Sequence, residues 1–97
     1  MAAFLIAHTA VNDQETFAAY SAAATETLAP FGGSIAMRGA VAEVLEGEHD
    51  RKLVAIISFP DQASLKGWFS SDAYQALIPG RRGAVEMTLI AYDEPPA

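Results

Sequence analysis

The chain has 97 residues, 52% of them hydrophobic, and its twelve acidic against six basic side chains leave a formal charge of −6. One domain of this length buries roughly two-thirds of the surface its unfolded form exposes, so the apolar excess calls for a partner surface. The acidic balance argues against nucleic acid, whose recognition rests on clustered Lys and Arg, and the lack of cysteine removes disulfides, thiolate nucleophiles and Cys-ligated metals.

The N-terminal stretch from Met1 to His8 has no basic segment, and its apolar run is too short for a signal core or a membrane span. A soluble, cytoplasmic protein without membrane contact is expected. Residues 3 to 10 are β-compatible and apolar on both parities, with Phe4, Ile6 and His8 on one face and Ala3, Leu5, Ala7 and Thr9 on the other. Asn12 followed by Glu15 predicts the N-cap of a first helix, on which Phe17, Tyr20, Ala24, Leu28 and Phe31 recur at helical intervals until Pro30 and Gly32-Gly33 stop it.

Ser34 to Glu46 reads as a second strand in which Gly39 marks a bulge or a close backbone approach, followed by a polar hairpin loop at Gly47 to Arg51. Lys52 to Phe59 is a third strand, apolar on both faces and therefore central. Pro60-Asp61 caps a second helix with Leu65, Trp68 and Phe69 on one face. Ser70-Ser71-Asp72 begins a short third helix with Tyr74, Leu77 and Ile78, which Pro79-Gly80 breaks or re-aims. Residues 84 to 92 alternate as a fourth strand, and 95 to 97 form a loose tail after a single domain over 1 to 94.

The order βαββαβ predicts an α+β, ferredoxin-like fold, a four-stranded antiparallel sheet with its helices on one face. Strands one and three are apolar on both sides, so the other face needs a cover, and a second copy packed sheet to sheet supplies one. The expected assembly is a homodimeric α+β barrel.

The landmarks Gly32-Gly33, Arg38-Gly39, Leu45-Glu46-Gly47, Phe59-Pro60, Trp68 and Ser71 with Tyr74-Gln75 resemble the small bacterial family known as domain of unknown function 1330. The resemblance covers nearly the whole chain. It implies the dimeric α+β-barrel superfamily, which contains cofactor-independent monooxygenases, isomerases, haem-degrading proteins, lyases and members without known activity. Two positions depart from the usual pattern: Ala40, where a second glycine often follows the arginine, and Ala73, where an acid often precedes the tyrosine.

Arg38 is the first candidate for a site, because a guanidinium on a strand otherwise made of Ile, Ala, Met and Val is costly to bury without a carboxylate, phosphate or carbonyl partner. Its structural alternative is pairing with Glu46 or reaching water. In a regular strand the eight residues between Arg38 and Glu46 span about 26 Å, so the two meet only across a sharp bend or a dimer. Glu46 as a base competes with a role in ordering the hairpin, and His8 as a base competes with a hydrogen-bonded rim residue.

Tyr20, Trp68 and Tyr74 read as core aromatics whose polar tips can also line a pocket between helices and sheet. His49 lies in a polar loop. Neither histidine falls on a predicted helix, which disfavours the haem chemistry of related barrels. Separated histidines and acids give no metal motif, and no cofactor is expected. Arg81-Arg82 after Pro79-Gly80 offers an anion site, against the commoner reading of an exposed basic pair that solvates its loop. Two functions stand side by side: a site for a small anionic or carbonyl-bearing molecule, in its enzymatic form a cofactor-independent monooxygenase, isomerase or lyase, and a non-catalytic homodimeric binding or interaction module.

Overall fold

Strand β1 (Ala3–Val11) is hydrogen-bonded on both sides, to β3 (Leu53–Phe59) and to β4 (Val85–Asp93), and β2 (Ser34–Ala40) completes a fully antiparallel sheet in the order β2-β3-β1-β4. Helix α1 (Gln14–Glu26) connects the first two strands. Helices α2 (Gln62–Ser70), α3 (Asp72–Gln75) and α4 (Ile78–Arg81) connect the last two. The computed structural model describes residues 2–95; Pro96 and Ala97 of the expected tail, and Met1, lie outside the described residues. The fold is the expected ferredoxin-like α+β arrangement.

The parity expected for β1 holds: Ala3, Leu5, Ala7 and Thr9 are buried beneath the helices, whereas Phe4, Ile6 and His8 are half-buried on the outer face. The core continues through Leu28, Phe59, Leu65, Trp68 and Tyr74. At about 25 cal/mol for each Å² of apolar surface withheld from water, this inner face supplies most of what stabilises the isolated chain. Tyr74 has no exposure at all and lies against Trp68, their ring centroids 4.2 Å apart.

Several boundaries differ from those expected. Asp13, not Asn12, caps α1, its carboxylate accepting from the Thr16 amide (3.2 Å) and hydroxyl (3.0 Å). The helix ends at Glu26 rather than at Pro30, because Thr27 turns its hydroxyl onto the Ala24 carbonyl, and Pro30 instead opens a separate 3-10 turn at Ala29–Phe31. Gly32 closes that turn at φ 70°, and a Cβ on Gly33 would lie 2.7 Å from the Phe59 ring, so this exit accepts no side chain.

The largest difference is in the second strand, which stops at Ala40. One further bond, Val41 N–H to the Lys52 carbonyl (2.7 Å), extends the ladder, and residues 42 to 51 leave it. Continuing the same register would set Glu43 directly opposite Asp50, a like-charge pair that opposes strand pairing. Arg51 is drawn away instead, toward Asp50 (3.6 Å) and Glu86 (3.5 Å). Phe69, expected on the buried face of α2, is 40% exposed, whereas Leu65 and Trp68 are buried. Pro79 re-aims the chain into α4 rather than ending it.

Asp13 and Asp61 hold their carboxyls below the usual 3.8, chiefly through the Thr16 and Ser64 amides that each accepts from. Stability from a lowered carboxyl is present above pH 3.8 and is lost as pH falls through the folded value. Asp13→Ala and Asp61→Ala are each expected to lower Tm at neutral pH and to flatten the acid decline of stability below about pH 4, measured by circular dichroism melts across a pH series.

Candidate functional site

Between the sheet and α1 lies a cavity of about 210 Å³. Its cause is the size of the side chains that face it. Ala7 and Ala55 are paired on the two central strands, Ala24 faces them from α1, and none of the three fills the gap. Accordingly α1 has no fully buried residue.

Two polar contacts hold the helix over this gap. At its C-terminal end the Trp68 indole N–H donates to the Thr27 hydroxyl (2.8 Å), which donates to the Ala24 carbonyl (2.6 Å). In its middle, Tyr20 and Tyr74 join hydroxyl to hydroxyl at 2.7 Å. Burial pushes the Tyr20 phenol above its usual value, so it remains protonated at neutral pH.

Arg38 reaches this cavity through a strand irregularity. Ile35 pairs with Ile57 on the helix side, and the register shifts between Ile35 and Met37, so that Met37 pairs with Ile56 and Arg38 with Ala55. The extra residue, Ala36, reverses the parity of the rest of the strand. In a regular strand Arg38 would share the outer face with Phe4 and Ile6; here it lines the cavity with Tyr20 and Trp68. The expected bulge at Gly39 therefore lies at Ala36, and Gly39 is no close backbone approach either: a Cβ there would meet the Val54 Cγ1 at 3.4 Å, an ordinary contact. Arg38 is exposed, so the burial cost that made it a candidate does not arise. It stands at the cavity mouth.

The other candidates divide. Tyr74 does not line the cavity; it lies behind Tyr20 and fixes that hydroxyl. His8 pairs with Val54 and Thr88 on the outer face, with the sheet between it and Arg38, and its ring meets His49 edge-on at 5.5 Å. A His8 that assists Arg38 within one subunit is excluded by this geometry. Glu46 is exposed in the 42–52 connection and makes no ion pair with Arg38 among the described residues. Also among the described residues, no cluster of three His, Cys, Asp or Glu side chains could hold a metal ion, and no helix is long and apolar enough to cross a membrane.

Two contributors were not singled out from the sequence. Thr9 is the buried polar residue of the inner face, and Met87 receives the Tyr20 hydroxyl at 3.8 Å. Thr9 was detectable as a polar residue on the parity of Leu5 and Ala7; Met87 looked like any strand residue. Arg81, expected to be solvated, is half-buried with its guanidinium 5.5 Å from the Tyr20 ring centroid.

The family pattern of domain of unknown function (DUF1330) matches residues 2–94. The chain belongs to this family. No curated protein matches it. Among solved structures, a protein of unknown function from Rhodopseudomonas palustris is 17% identical, with a TM-score of 0.83 over 99% of this chain and 84% of that one. SnoaB, a cofactor-independent oxygenase from Streptomyces nogalater, is 11% identical, with a TM-score of 0.71 over 99% of this chain and 95% of that one. A dimeric ferredoxin-like protein of unknown function from Thermobifida fusca is 12% identical, with a TM-score of 0.65 over 95% of this chain and 90% of that one. At these identities the likeness of the DUF1330 chain to its neighbours is one of fold.

Because the Tyr20 phenol is raised in the folded state, the stability it carries is present below pH 10 and lost as pH rises beyond it. Tyr20→Phe is expected to flatten the alkaline decline of Tm above pH 10, read by thermal melts of both proteins between pH 8 and 11.

Proposed function

We propose that this DUF1330 protein is a homodimer in which each subunit takes up one small anionic or carbonyl-bearing molecule between sheet and α1. The observation that carries the reading is the bulge at Ala36, which brings Arg38 to the mouth of a largely apolar cavity. Arg38 is the one charged residue among the described residues lining it. An apolar enclosure with a single cation at its opening suits a ligand with an apolar body and one anionic or carbonyl oxygen.

In its enzymatic form, the reading gives Arg38 the stabilisation of negative charge developing on that oxygen during cofactor-free oxygenation, isomerisation or lyase chemistry. The oxygenase among the structural neighbours supports this through fold alone. One observation favours the non-catalytic alternative. Among the described lining residues there is no carboxylate or histidine, and Tyr20 is held protonated, so within one subunit the cavity offers a hydrogen-bond donor but no general base.

Dimerisation is supported by the outer sheet face. Phe4, Ile6 and Ile56 lie there with Met37, 63% exposed, and with Ile90 and Tyr92, each 38% exposed. An antiparallel sheet can leave one face wet, but its strands then alternate apolar and polar, which β1 and β3 do not. Two of the neighbouring ferredoxin-like proteins are described as dimeric. A cytoplasmic location agrees with the acidic, cysteine-free composition.

Arg38→Ala is expected to weaken binding of a carboxylate probe, benzoate, by roughly tenfold to a hundredfold, the worth of a hydrogen bond to a charged group. Calorimetric titration checks the affinity. Sedimentation of the same variant should show the wild-type assembly; a loss of folding or dimerisation would make Arg38 structural. Met37→Glu combined with Ile90→Glu is expected to give a folded monomer at micromolar concentration, since an isologous interface meets each new charge twice. A wild-type protein that sediments as a monomer would overturn the dimer.

A further inference from the structure

We infer that the ligand bridges the width of the cavity: a single flat ring with an anionic group held by Arg38 at one end and a carbonyl oxygen accepting from the Tyr20 hydroxyl at the other. This deepens the proposed function and rests on it for the anion at Arg38. Size, the sheet register and the direction of one proton support it independently.

A dry cavity of about 150 Å³ accepts a benzene ring, so the 210 Å³ here leaves about 60 Å³ more, or about two water-sized groups. That is room for one ring and one small substituent, with the anionic group at the open mouth beside the exposed Arg38. The register places the two groups at opposite ends. Arg38 on β2 is aligned with Ala55, Ala7 and Leu89 in turn, so three strand spacings, about 14 Å between backbones, separate it from β4. Tyr20 stands over the β4 side, where its hydroxyl meets Met87. The floor between them is Ala7 and Ala55, flat enough to lie under a ring.

The proton on Tyr20 points into the cavity. Tyr74 is fully buried and its hydroxyl has one partner among the described residues, the Tyr20 oxygen. If Tyr20 donated to Tyr74, the Tyr74 proton would be buried without an acceptor, which costs far more than the bond returns. Tyr74 therefore donates and Tyr20 accepts, leaving the Tyr20 proton on the weak thioether of Met87 at 3.8 Å. A carbonyl oxygen is a much better acceptor than that sulfur and displaces it at little cost. Tyr74 is the positioning residue. The Arg81 guanidinium against the Tyr20 ring adds positive charge at the same end, which also favours an oxygen acceptor there.

The test compares two probes on the full chain, benzoate and 4-acetylbenzoate, which differ by one carbonyl opposite the carboxylate. Wild-type protein is expected to bind 4-acetylbenzoate roughly three- to tenfold more tightly, the worth of one neutral hydrogen bond. Tyr20→Phe should bring that ratio to about one, Arg38→Ala should weaken both probes alike, and Ala55→Leu should exclude both. Met87→Leu, which leaves the tyrosine pair intact, should keep or raise the ratio and carries the test should Tyr20→Phe fail to fold. A ratio near one in wild type, or unmoved by Tyr20→Phe, or lost in Met87→Leu, overturns the bridging ligand while the anion at Arg38 stands. Failure of both probes to bind wild-type protein at millimolar concentration overturns both readings, and failure of 4-acetylbenzoate alone overturns the bridging ligand.

Discussion

A strand has two faces, and this sheet has only one layer of helices. That constraint governs the rest of the molecule. β1 and β3 are apolar on both faces, so the helices bury Ala3, Leu5, Ala7 and Thr9, and the sheet keeps a second apolar surface that no part of the described chain covers completely. Every residue of the four strands is assigned to one compartment or the other by parity. A side chain moves between them only where an extra residue breaks the alternation.

Ala36 is where the alternation breaks, and its effect is chemical as well as geometric. Without it, Arg38 would stand on the outer face opposite Val54 and near His8, in the surface where a second copy would pack, and the cavity would have no cation. With it, Met37 takes the outer position and Arg38 the inner one. The same rule explains why His8 and Arg38 cannot cooperate within a subunit. His8 lies on the regular parity of β1, which sends it outward toward His49 and leaves the whole sheet between them.

The cavity itself is the product of small residues and rigid supports. Ala7, Ala24 and Ala55 leave the volume; Trp68 on Thr27 and Tyr74 on Tyr20 keep α1 from settling into it. A core that could collapse would do so, because unfilled volume costs dispersion contacts on every wall. Buried hydrogen bonds to the helix oppose that collapse, since breaking either strands a polar group away from water. Tyr20, Trp68 and Tyr74 therefore serve as core aromatics and as struts at once.

The sequence by itself determined the βαββαβ order, the central position of the third strand, the capping of α2 and α3 by Asp61 and Ser71, and the two-sided apolar character of β1. These are local properties, written in composition, parity and turn chemistry over a few neighbouring residues. It also marked Arg38, Tyr20, Trp68 and Tyr74 as the residues to watch, though for Arg38 through a burial that the fold does not impose. Tertiary structure alone decided which compartment each of them enters. The bulge lies at an ordinary alanine, and its place depends on how β2 meets β3, not on any residue in β2. The early end of that strand depends on Glu43 and Asp50 falling opposite one another across a turn, and the tyrosine pair joins residues 54 positions apart. The first is set by the register that β2 takes on β3 and the second by packing between distant segments, and neither can be read from one element alone.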